Sequence, residues 1–265
     1  MMNVALRRES VNAVYLQLHA HTVKDLVHCV REIPIHGLSV TMPFKEAIIE
    51  QLDNSDPMTQ KVGACNTVIR SQDGKLYGFN TDVFGVLRPL EQRLVLDNAK
   101  ILVLGAGGAA RAAVFGLRER NAQVFILNRS AGPAEKLARQ AKAKVIQRSA
   151  LKKLGEFDVI INATPIGMSE VPQKAPDAPL AEKELNAKYL MEMVYSPAET
   201  KLVKMARAKG MHIISGAEMF VQQGARQFEI WTGKPAPVEE MYRTVLTALA
   251  QRAAAAAANG TRKKR

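Results

Sequence analysis

The junction at residues 100–110 constrains the fold more than any other part of the chain. It reads KILVLGAGGAA, so an apolar run breaks into glycines and then into helix-forming alanines. This order predicts a buried strand, a tight turn and a helix that begins near Gly108. In the G-x-G-x-x-A pattern, Gly105 permits the turn, Gly107 lets the backbone approach a pyrophosphate, and Ala110 lets helix and strand pack closely. We therefore expect a dinucleotide-binding domain whose phosphates lie at the positive N-terminal end of this helix.

The next predicted strand, at 123–127, indicates which dinucleotide is bound. It ends in Asn128, Arg129 and Ser130, where NAD-binding units usually carry Asp or Glu to hold the ribose hydroxyls. By position alone, Arg129 could equally be a solvated arginine at a strand end. No acidic residue occurs between Val124 and Ser130, however, and a guanidinium pairs with a 2′-phosphate through charge-assisted hydrogen bonds. We therefore predict NADP as the cofactor.

Length and composition indicate a two-domain protein of a reducing compartment. A chain of 265 residues exceeds the size at which single cores usually stop growing, and 47% hydrophobic residues supply two ordinary cores. The two cysteines, Cys29 and Cys65, argue against a disulfide framework. The apolar runs are strand-length and the first ten residues lack a signal-peptide layout, so we expect a cytoplasmic protein without a membrane span.

The net charge of +12 does not by itself indicate nucleic-acid binding. The basic residues are spread along the chain, and no recognised nucleic-acid-binding module accompanies them. Four of them, at 262–265, follow an alanine run, which predicts a disordered basic tail over 253–265. Diffuse positive charge is typical of soluble proteins that attract anionic small molecules, and we expect such a molecule as the partner.

Alternating sequence patterns divide the chain into two α/β regions. In the first region we expect strands at 14–18 and 37–41, helices at 22–32 and 44–52, a hairpin of 67–70 with 76–79, and a helix from 83 to about 94. In the second we expect parallel strands near 101–104, 123–127, 143–146, 158–161, 190–194 and 212–214. Two final helices, 217–231 and 237–252, are expected to return across the first region. The predicted fold is an α/β substrate-binding domain, 1–84 with 219–252, and a doubly wound Rossmann NADP-binding domain, 85–218.

Four polar stretches outside the glycine turn are candidates for chemistry. They are SVTMPFK at 39–45, GACNT at 63–67, GFNTD at 78–82 and FVQQGA at 220–225. Taken singly, each has an ordinary structural explanation. Lys45 is compatible with a solvated lysine, Asp82 with a helix N-cap, Asn66 with a turn residue and Gln223 with a residue that faces water.

Taken together, these stretches resemble the shikimate dehydrogenase family, which carries V-T-x-P-x-K, G-A-x-N-T, N-T-D-x-x-G and a glutamine-bearing helix around a G-x-G-G-A loop. The resemblance covers essentially the whole chain through NRS at 128–130, NATPIGM at 162–168, VYSP at 194–197 and FEIWTG at 228–233. The chain is particularly similar to the dehydrogenase half of bifunctional dehydroquinate dehydratase–shikimate dehydrogenases. A homodimer, or a fused or associated dehydroquinate dehydratase, is therefore among the partners to expect.

The resemblance implies the reversible reduction of 3-dehydroshikimate to shikimate by NADPH in aromatic amino acid (chorismate) biosynthesis. Hydride transfer to a ketone leaves an alkoxide-like oxygen that must be stabilised and protonated, which suits a lysine oriented by a carboxylate. Matching the motifs makes Lys45 the acid/base and Asp82 its partner. The residues expected to complete the substrate site are Asn66, Thr41, Tyr195 and Gln223.

Matching the motifs also implies the residues that contact the cofactor. Those expected at the diphosphate are Gly105, Ala106, Gly107, Gly108 and Ala109, and those at the adenosine phosphate are Asn128, Arg129 and Ser130. Those expected at the nicotinamide half are Thr164, Met193 and Gly216. No metal site is predicted, since His19 and His21 have no third ligand close in sequence and hydride transfer needs no metal.

The chain departs from the family pattern at its beginning. The family opens with a strand and a Ser-x-Ser-Pro turn whose hydroxyls bind the substrate carboxylate, before a helix that begins near His-Asn. Met2 and Asn3 align with that His-Asn, so we expect a chain truncated relative to the family. Hydrogen bonds to a charged group contribute about 1.5–3 kcal/mol each, so losing two predicts a KM raised by tens-fold to thousands-fold. A smaller departure is Glu192, where the family usually has Asp.

Two alternatives to an impaired shikimate dehydrogenase stay open on sequence grounds. The absent serines favour a non-catalytic paralogue that still binds NADP or a ring acid. The intact Lys45, Asp82, Asn66 and Gln223 favour the enzyme. A dehydrogenase that acts on quinate by the same chemistry is the other alternative.

Overall fold

The computed structural model describes residues 1–168 and 176–262, and side chains up to residue 255. These residues form an α/β protein with two sheets, one of four strands and one of six. The described α-helices are α1 (Met2–Arg8), α2 (Val23–Glu32), α3 (Pro57–Val62), α4 (Thr81–Glu91), α5 (Gly108–Glu119), α6 (Ala131–Ala141), α7 (Leu151–Leu154), α8 (Lys201–Ala208), α9 (Gly216–Thr232) and α10 (Val238–Arg262). The described strands are β1 (Gly37–Ser39), β2 (Asn54–Ser55), β3 (Thr67–Arg70), β4 (Leu76–Phe79), β5 (Lys100–Leu104), β6 (Gln123–Leu127), β7 (Lys144–Val145), β8 (Phe157–Asn162), β9 (Ala187–Glu192) and β10 (His212–Ile214).

The six-stranded sheet has the doubly wound order β10-β9-β8-β5-β6-β7, and all its strands are parallel. β5 is central and is apolar and buried from Ile101 to Leu104, because helices cover both faces of the sheet. The chain passes from β5 to β6 on one side and later to β8 on the other. The carboxyl ends of β5 and β8 therefore bound the crevice where such sheets bind ligands. The predicted Rossmann fold is confirmed.

The four-stranded sheet has the order β1-β3-β4-β2 and carries the predicted hairpin between β3 and β4. Gly74 sits in the hairpin turn at φ +82°, which accounts for glycine there. β1 lies at an edge of this sheet and pairs antiparallel with β3. Apolar residues of α2, of the 3₁₀ helix at Ala47–Gln51 and of the sheet, among them Val30, Ile48 and Val68, form the core on its covered face.

The predicted strand at 14–18 was wrong as a sheet strand. In the structure residues 11–20 belong to no described sheet, and Val14, Leu16 and Leu18 are 67%, 66% and 52% exposed. The Asn3 side chain takes the place of a neighbouring strand at one position. Its amide donates to the Tyr15 carbonyl at 2.9 Å and its oxygen accepts from the Tyr15 amide at 2.7 Å. Alternation predicts which face a strand buries, but a strand also needs a partner for its backbone.

Helices α4 and α9 connect the two sheets. α4 leaves β4 and packs between α9 and α5, where Gly85 and Gly116 permit close approach. α9 follows β10 of the six-stranded sheet and returns to the other sheet, where the Trp231 indole donates to the Val68 carbonyl at 2.9 Å. α9 thus contacts β3 of the four-stranded sheet. Among the described helices, none combines the length and apolarity needed to cross a bilayer.

Three local expectations differ from the structure. The helix expected at 44–52 is a turn followed by a short 3₁₀ helix at Ala47–Gln51. The elements β2 and α3 were not predicted, and α3 begins with the Asp56 N-cap and Pro57, a standard start signal. α10 extends to Arg262, whereas a disordered tail was expected from residue 253. The end of that tail, 263–265, lies outside the described residues.

Candidate active site

Lys45 and Asp82 form an ion pair, although they are 37 residues apart in sequence. Lys45 Nζ lies 2.7 Å from Asp82 Oδ2, and the two side chains are 26% and 10% exposed. The Lys45 carbonyl accepts from the Cys65 amide at 2.7 Å, which fixes the turn that follows β1 against the start of β3. The pair is thus held by two elements of the four-stranded sheet and by the N-terminus of α4.

Asn80, and not Asp82, caps helix α4. The Asn80 side chain accepts from the amides of Asp82 and Val83 at 3.1 and 3.4 Å. The interpretation of Asp82 as an N-cap is therefore wrong, and its carboxylate is left to bind other side chains. Its second oxygen, Oδ1, accepts from Asn66 Nδ2 at 2.9 Å. Both carboxylate oxygens are consequently occupied, one by a cation and one by an amide.

Asn66 connects this pair to helix α9. It is buried, and its Oδ1 accepts from the Thr81 amide and from Thr67 Oγ1, each at 2.8 Å. Its Nδ2 also lies 3.4 Å from Gln223 Oε1, which accepts from Thr81 Oγ1 at the same distance. The structure therefore brings Lys45, Asp82, Asn66 and Gln223 into one hydrogen-bonded group. The explanations of Asn66 as a turn residue and of Gln223 as solvent-facing do not hold.

Gln227, one helical turn after Gln223, was not predicted from the sequence. Gln227 is buried, and its Nε2 lies 3.0–3.1 Å from Ser39 Oγ, the Asn66 carbonyl and Thr67 Oγ1. The spacing of the two glutamines, i and i+4, places both on one face of α9. That spacing was a signal in the sequence, since two uncharged polar residues on the face of a core helix need buried partners.

Thr41 and Tyr195 are the two other predicted substrate residues. Among the described residues, neither of their side chains makes a hydrogen bond to the group around Lys45. Thr41 is exposed, and its carbonyl accepts from the Phe44 amide at 2.9 Å in the turn before Lys45. Tyr195 stacks on Phe220 with ring centroids 5.1 Å apart. Tyr195 and Gln223 both line a cavity of about 390 Å³ beside α9 and α10.

The glycine turn lies at the carboxyl end of β5, as expected. Gly105 has φ +108°, and its amide donates to the Leu127 carbonyl of β6 at 2.9 Å. A Cβ at Gly105 would lie 3.0 Å from the Ala163 carbonyl, so this glycine allows the turn to approach the end of β8. Cβ atoms built at Gly107 and Gly108 meet nothing within 4 Å. Open space therefore faces the N-terminus of α5, where Ala106 and Ala109 flank the two glycines.

The residues predicted for the adenosine phosphate follow β6, next to this turn. β5 and β6 are paired in register, with Leu104 opposite Leu127, so both turns emerge at the same edge. Asn128 Nδ2 donates to the Ser130 carbonyl at 2.9 Å and shapes the loop. Arg129 and Ser130 are exposed.

The three residues predicted for the nicotinamide half are also close together. The Thr164 hydroxyl donates to Asn162 Oδ1 at 2.7 Å, and the Met193 amide donates to the Asn162 carbonyl at 3.1 Å. A Cβ at Gly216 would lie 2.6 Å from the Val194 carbonyl, so the start of α9 is pressed against the end of β9. Thr164 lies directly beside Gly105, since a Cβ at Gly105 would be 3.3 Å from the Thr164 methyl.

Comparison with known proteins gives one consistent result. Three family models match the chain, described as the shikimate dehydrogenase substrate binding domain over residues 1–68, shikimate / quinate 5-dehydrogenase over 90–176 and the shikimate 5'-dehydrogenase C-terminal domain over 216–246. A shikimate dehydrogenase (NADP(+)) of Pyrococcus furiosus is 37% identical over 95% of this chain and 91% of its own length. The chain belongs to the shikimate dehydrogenase family. The resemblance inferred from the motifs is thus confirmed.

Solved structures agree with this membership. The shikimate 5-dehydrogenase of Thermus thermophilus, solved with NADP(H) and shikimate, is 32% identical with a TM-score of 0.82, covering 94% of this chain and 93% of its own. A quinate dehydrogenase from Corynebacterium glutamicum, solved with NAD, is 26% identical with a TM-score of 0.83, covering 93% and 92%. The two-domain Rossmann-type architecture of the family is therefore that of this chain.

Glu192, the residue where the family usually has Asp, is a buried carboxylate at the end of β9. It accepts from Asn162 Nδ2 at 2.8 Å, from the Thr200 hydroxyl at 2.9 Å and from the Val194 amide at 3.0 Å. Burial raises the pKa of Glu192 to about 7, because desolvation of the charged form outweighs these hydrogen bonds. Glu192 orients Asn162, and Asn162 in turn holds Thr164 and Met193, so Glu192 indirectly supports two residues predicted for the nicotinamide half.

Proposed function

We propose that this protein catalyses the reversible reduction of 3-dehydroshikimate to shikimate with NADPH. The observation that carries the proposal is the Lys45–Asp82 pair, 2.7 Å apart and joined through Asn66 to Gln223 at the wall of a cavity. A positioned ammonium beside a fixed carboxylate suits the protonation and stabilisation of an oxygen that gains negative charge. Family membership supplies the substrate class, since the relative from Thermus thermophilus was solved with shikimate.

The residues around the glycine turn fit NADP. The space in front of Gly107 and Gly108 lies at the N-terminus of the twelve-residue helix α5, where backbone amides and the helix dipole favour a diphosphate. Arg129 at the neighbouring strand end is the cation that would pair with a 2′-phosphate. The relative from Thermus thermophilus, which is 32% identical, was solved with NADP(H). The relative from Pyrococcus furiosus is named a shikimate dehydrogenase (NADP(+)).

NADPH, when bound, supplies the hydride that reduces the ketone. Residues of the chain itself stabilise and protonate the oxygen of that ketone. Asp82 accepts one Lys45 N–H, which orients the ammonium and leaves its other N–H groups able to donate to the oxygen of the substrate. Lys45 then releases a proton to that oxygen on reduction and recovers it from the hydroxyl in the reverse direction.

The neighbouring amides bind the hydroxyls of the ring. Asn66 and Asp82 are joined at 2.9 Å, so together they present one donor and one acceptor at a fixed separation. Gln223, held by its Nε2 donating to the Phe220 carbonyl at 3.0 Å, adds a second amide 3.4 Å from Asn66. Thr41 and Tyr195 complete the proposed substrate site from the turn after β1 and from the end of β9.

The division into units follows from these roles. Residues 1–84 with 219–252 form the substrate-binding unit, and residues 85–218 form the nucleotide-binding unit, which adds Tyr195 to the substrate site. Both cysteines are free and Cys65 is buried, which suits a reducing cytoplasm. We also propose a homodimer, or an associated dehydroquinate dehydratase, as a partner. The mass of the purified chain in solution tests the homodimer.

The experiment is a spectrophotometric assay of the purified chain with NADPH and 3-dehydroshikimate. The proposal expects oxidation of NADPH that depends on the ring acid and is faster than with NADH. Parallel assays of NADP⁺ reduction with shikimate and with quinate decide the substrate. Turnover of quinate alone contradicts the substrate assignment. Binding of NADPH without turnover of either acid contradicts the enzymatic proposal and supports a non-catalytic paralogue.

A further inference from the structure

Arg111 joins the two units of the chain at a contact separate from α4 and α9, the helices that connect the two sheets. It lies in the first turns of α5, and its Nε donates to the Val62 carbonyl at 2.5 Å. Val62 is the last residue of α3, which lies between β2 and β3 of the four-stranded sheet in the chain. The guanidinium therefore connects the helix after the glycine turn to the substrate-binding unit.

The guanidinium of Arg111 is held on several sides. Nη1 donates to Gln140 Oε1 of α6 at 3.0 Å, and Nη2 lies 3.5 Å from the Lys61 carbonyl. Gly63 ends α3 at φ +70°, and a Cβ there would lie 3.3 Å from Nη2, so the absence of a side chain gives the guanidinium its room. The half-buried group is thus anchored in the nucleotide-binding unit while it holds the end of α3.

The chain leads directly from α3 into the proposed substrate site. Asn66, four residues after Val62, donates to Asp82 at 2.9 Å. Between them, the Cys65 amide donates to the Lys45 carbonyl at 2.7 Å. The position of α3 is therefore passed to the Lys45 turn and to Asp82 through backbone and side-chain hydrogen bonds.

The other end of this connection lies beside the proposed cofactor site. The N-terminus of α5 faces the open space at Gly107 and Gly108, which the article assigns to the diphosphate. Further along α5, α4 packs at Gly116, about 7.5 Å from Arg111 along the helix axis. Two contacts separated along one helix resist the rotation of one unit against the other, a motion that a single contact permits.

We propose that Arg111 is a positioning residue that fixes the distance and angle between Lys45 and the nicotinamide half of the cofactor. The inference rests on the proposed function, because hydride transfer requires these two parts, held by different units, to meet. A misplacement of about 1 Å lowers a rate by up to about 10²-fold, even when each unit still binds its own ligand. Arg111→Lys keeps the charge but loses the planar fork that donates to Val62 and Gln140 together.

The test compares Arg111→Lys and Arg111→Gln with the control Lys61→Gln. The control removes a different contact between the same two helices, the pair of Lys61 Nζ and Glu119 Oε1 at 2.5 Å. Single-turnover mixing with saturating NADPH and 3-dehydroshikimate measures hydride transfer, and we expect its rate constant to fall by about 10- to 100-fold in both Arg111 variants. Dissociation constants for the two ligands should change little. A merely destabilised protein would instead lose amplitude and keep its rate constant.

The outcomes separate this inference from the proposed function. If the wild type turns over 3-dehydroshikimate, the positioning role is overturned by a normal rate constant in either Arg111 variant, or by an equal loss in Lys61→Gln. If the wild type shows no turnover, the proposed function fails, and amide hydrogen exchange of residues 62–66 decides the inference. Faster exchange in Arg111→Gln than in Lys61→Gln supports it, and equal exchange in the two variants overturns it.

Discussion

Gly85 on α4 lies directly against Gln223 on α9. A Cβ built at Gly85 would be 2.9 Å from the Gln223 Cβ and 2.8 Å from the Met219 carbonyl, closer than real side chains approach. α4 carries Asp82 and α9 carries Gln223, so the absence of a side chain at position 85 sets the separation of two parts of the proposed site. Helix packing and site geometry therefore depend on one glycine.

Gly85→Ala should destabilise the protein although alanine is the better helix former. The new methyl must push α9 away, and overpacking of this kind typically costs about 1–3 kcal/mol. The same displacement moves Gln223 from Asn66 and Thr81, so kcat/KM should fall as well. Urea unfolding and the NADPH assay measure both effects. Arg88→Ala, at an exposed position on α4, is the control and should leave stability within about 0.5 kcal/mol. A Gly85→Ala protein as stable and active as wild type would contradict the packing argument.

Lys45→Ala should lower kcat for 3-dehydroshikimate by about 10²- to 10⁴-fold, the usual contribution of a positioned acid or base. NADPH binding, measured by fluorescence titration, should be nearly unchanged, since Lys45 lies in the four-stranded-sheet unit. The matched control is Lys75→Ala, which removes an exposed lysine paired with Asp73 at 3.0 Å in the hairpin turn. Normal turnover in Lys45→Ala would remove this lysine from the mechanism.

Arg129→Asp should weaken NADPH binding much more than NADH binding. The substitution removes a charge-assisted partner of the 2′-phosphate and adds repulsion, so we expect at least about a tenfold difference between the two cofactors. Dissociation constants for both dinucleotides, measured on the same preparations, give the comparison. Lys136→Asp reverses an exposed charge on α6 and should affect the two cofactors alike. Equal losses of NADPH and NADH in Arg129→Asp would be incompatible with its assignment.

Gln227→Leu should reduce the free energy of unfolding by about 1–3 kcal/mol. Leucine fits the helix but leaves the buried Asn66 carbonyl and Thr67 hydroxyl without the amide that lies 3.0–3.1 Å from each, and Ser39 loses the same donor. Chemical denaturation of the apoprotein measures this directly. Gln222→Leu, on the same helix, has no such buried partners among the described residues and should change stability by less. A Gln227→Leu protein no less stable than Gln222→Leu would show that the network is dispensable.

Glu192 should make the stability of the protein fall as pH rises from about 4.5 to about 7. The pKa of its carboxyl is raised from 4.5 to about 7 in the folded protein, so in this range the folded state keeps a proton that the unfolded state has released. Stability therefore decreases with increasing pH, by on the order of 3 kcal/mol once both states are ionised. Glu192→Gln mimics the protonated group and should lose this contribution. Unfolding free energies at pH 5 and pH 8 for both proteins provide the measurement, and an identical pH dependence would contradict the assignment to Glu192.

Local patterns in the sequence were sufficient for the nucleotide-binding half. Apolar runs of strand length, the turn at Gly105 and the helix after Gly107 each depend on neighbouring residues, so periodicity and glycine placement predict them. The hairpin around Gly74 is predictable for the same reason. The parallel sheet follows from regular alternation of strands and helices, because that alternation leaves few other topologies.

The sequence by itself therefore determined the Rossmann architecture, the glycine turn after β5 and, through motif resemblance, Lys45 and Asp82 as candidates. Only the tertiary structure decided that those two side chains meet at 2.7 Å and that Gln227 donates to the carbonyl of Asn66, which binds Asp82. It also decided that residues 11–20 join no described sheet despite their alternating pattern. The physical reason is that contacts between distant residues depend on how helices pack and strands pair across the whole chain, which local propensity does not encode.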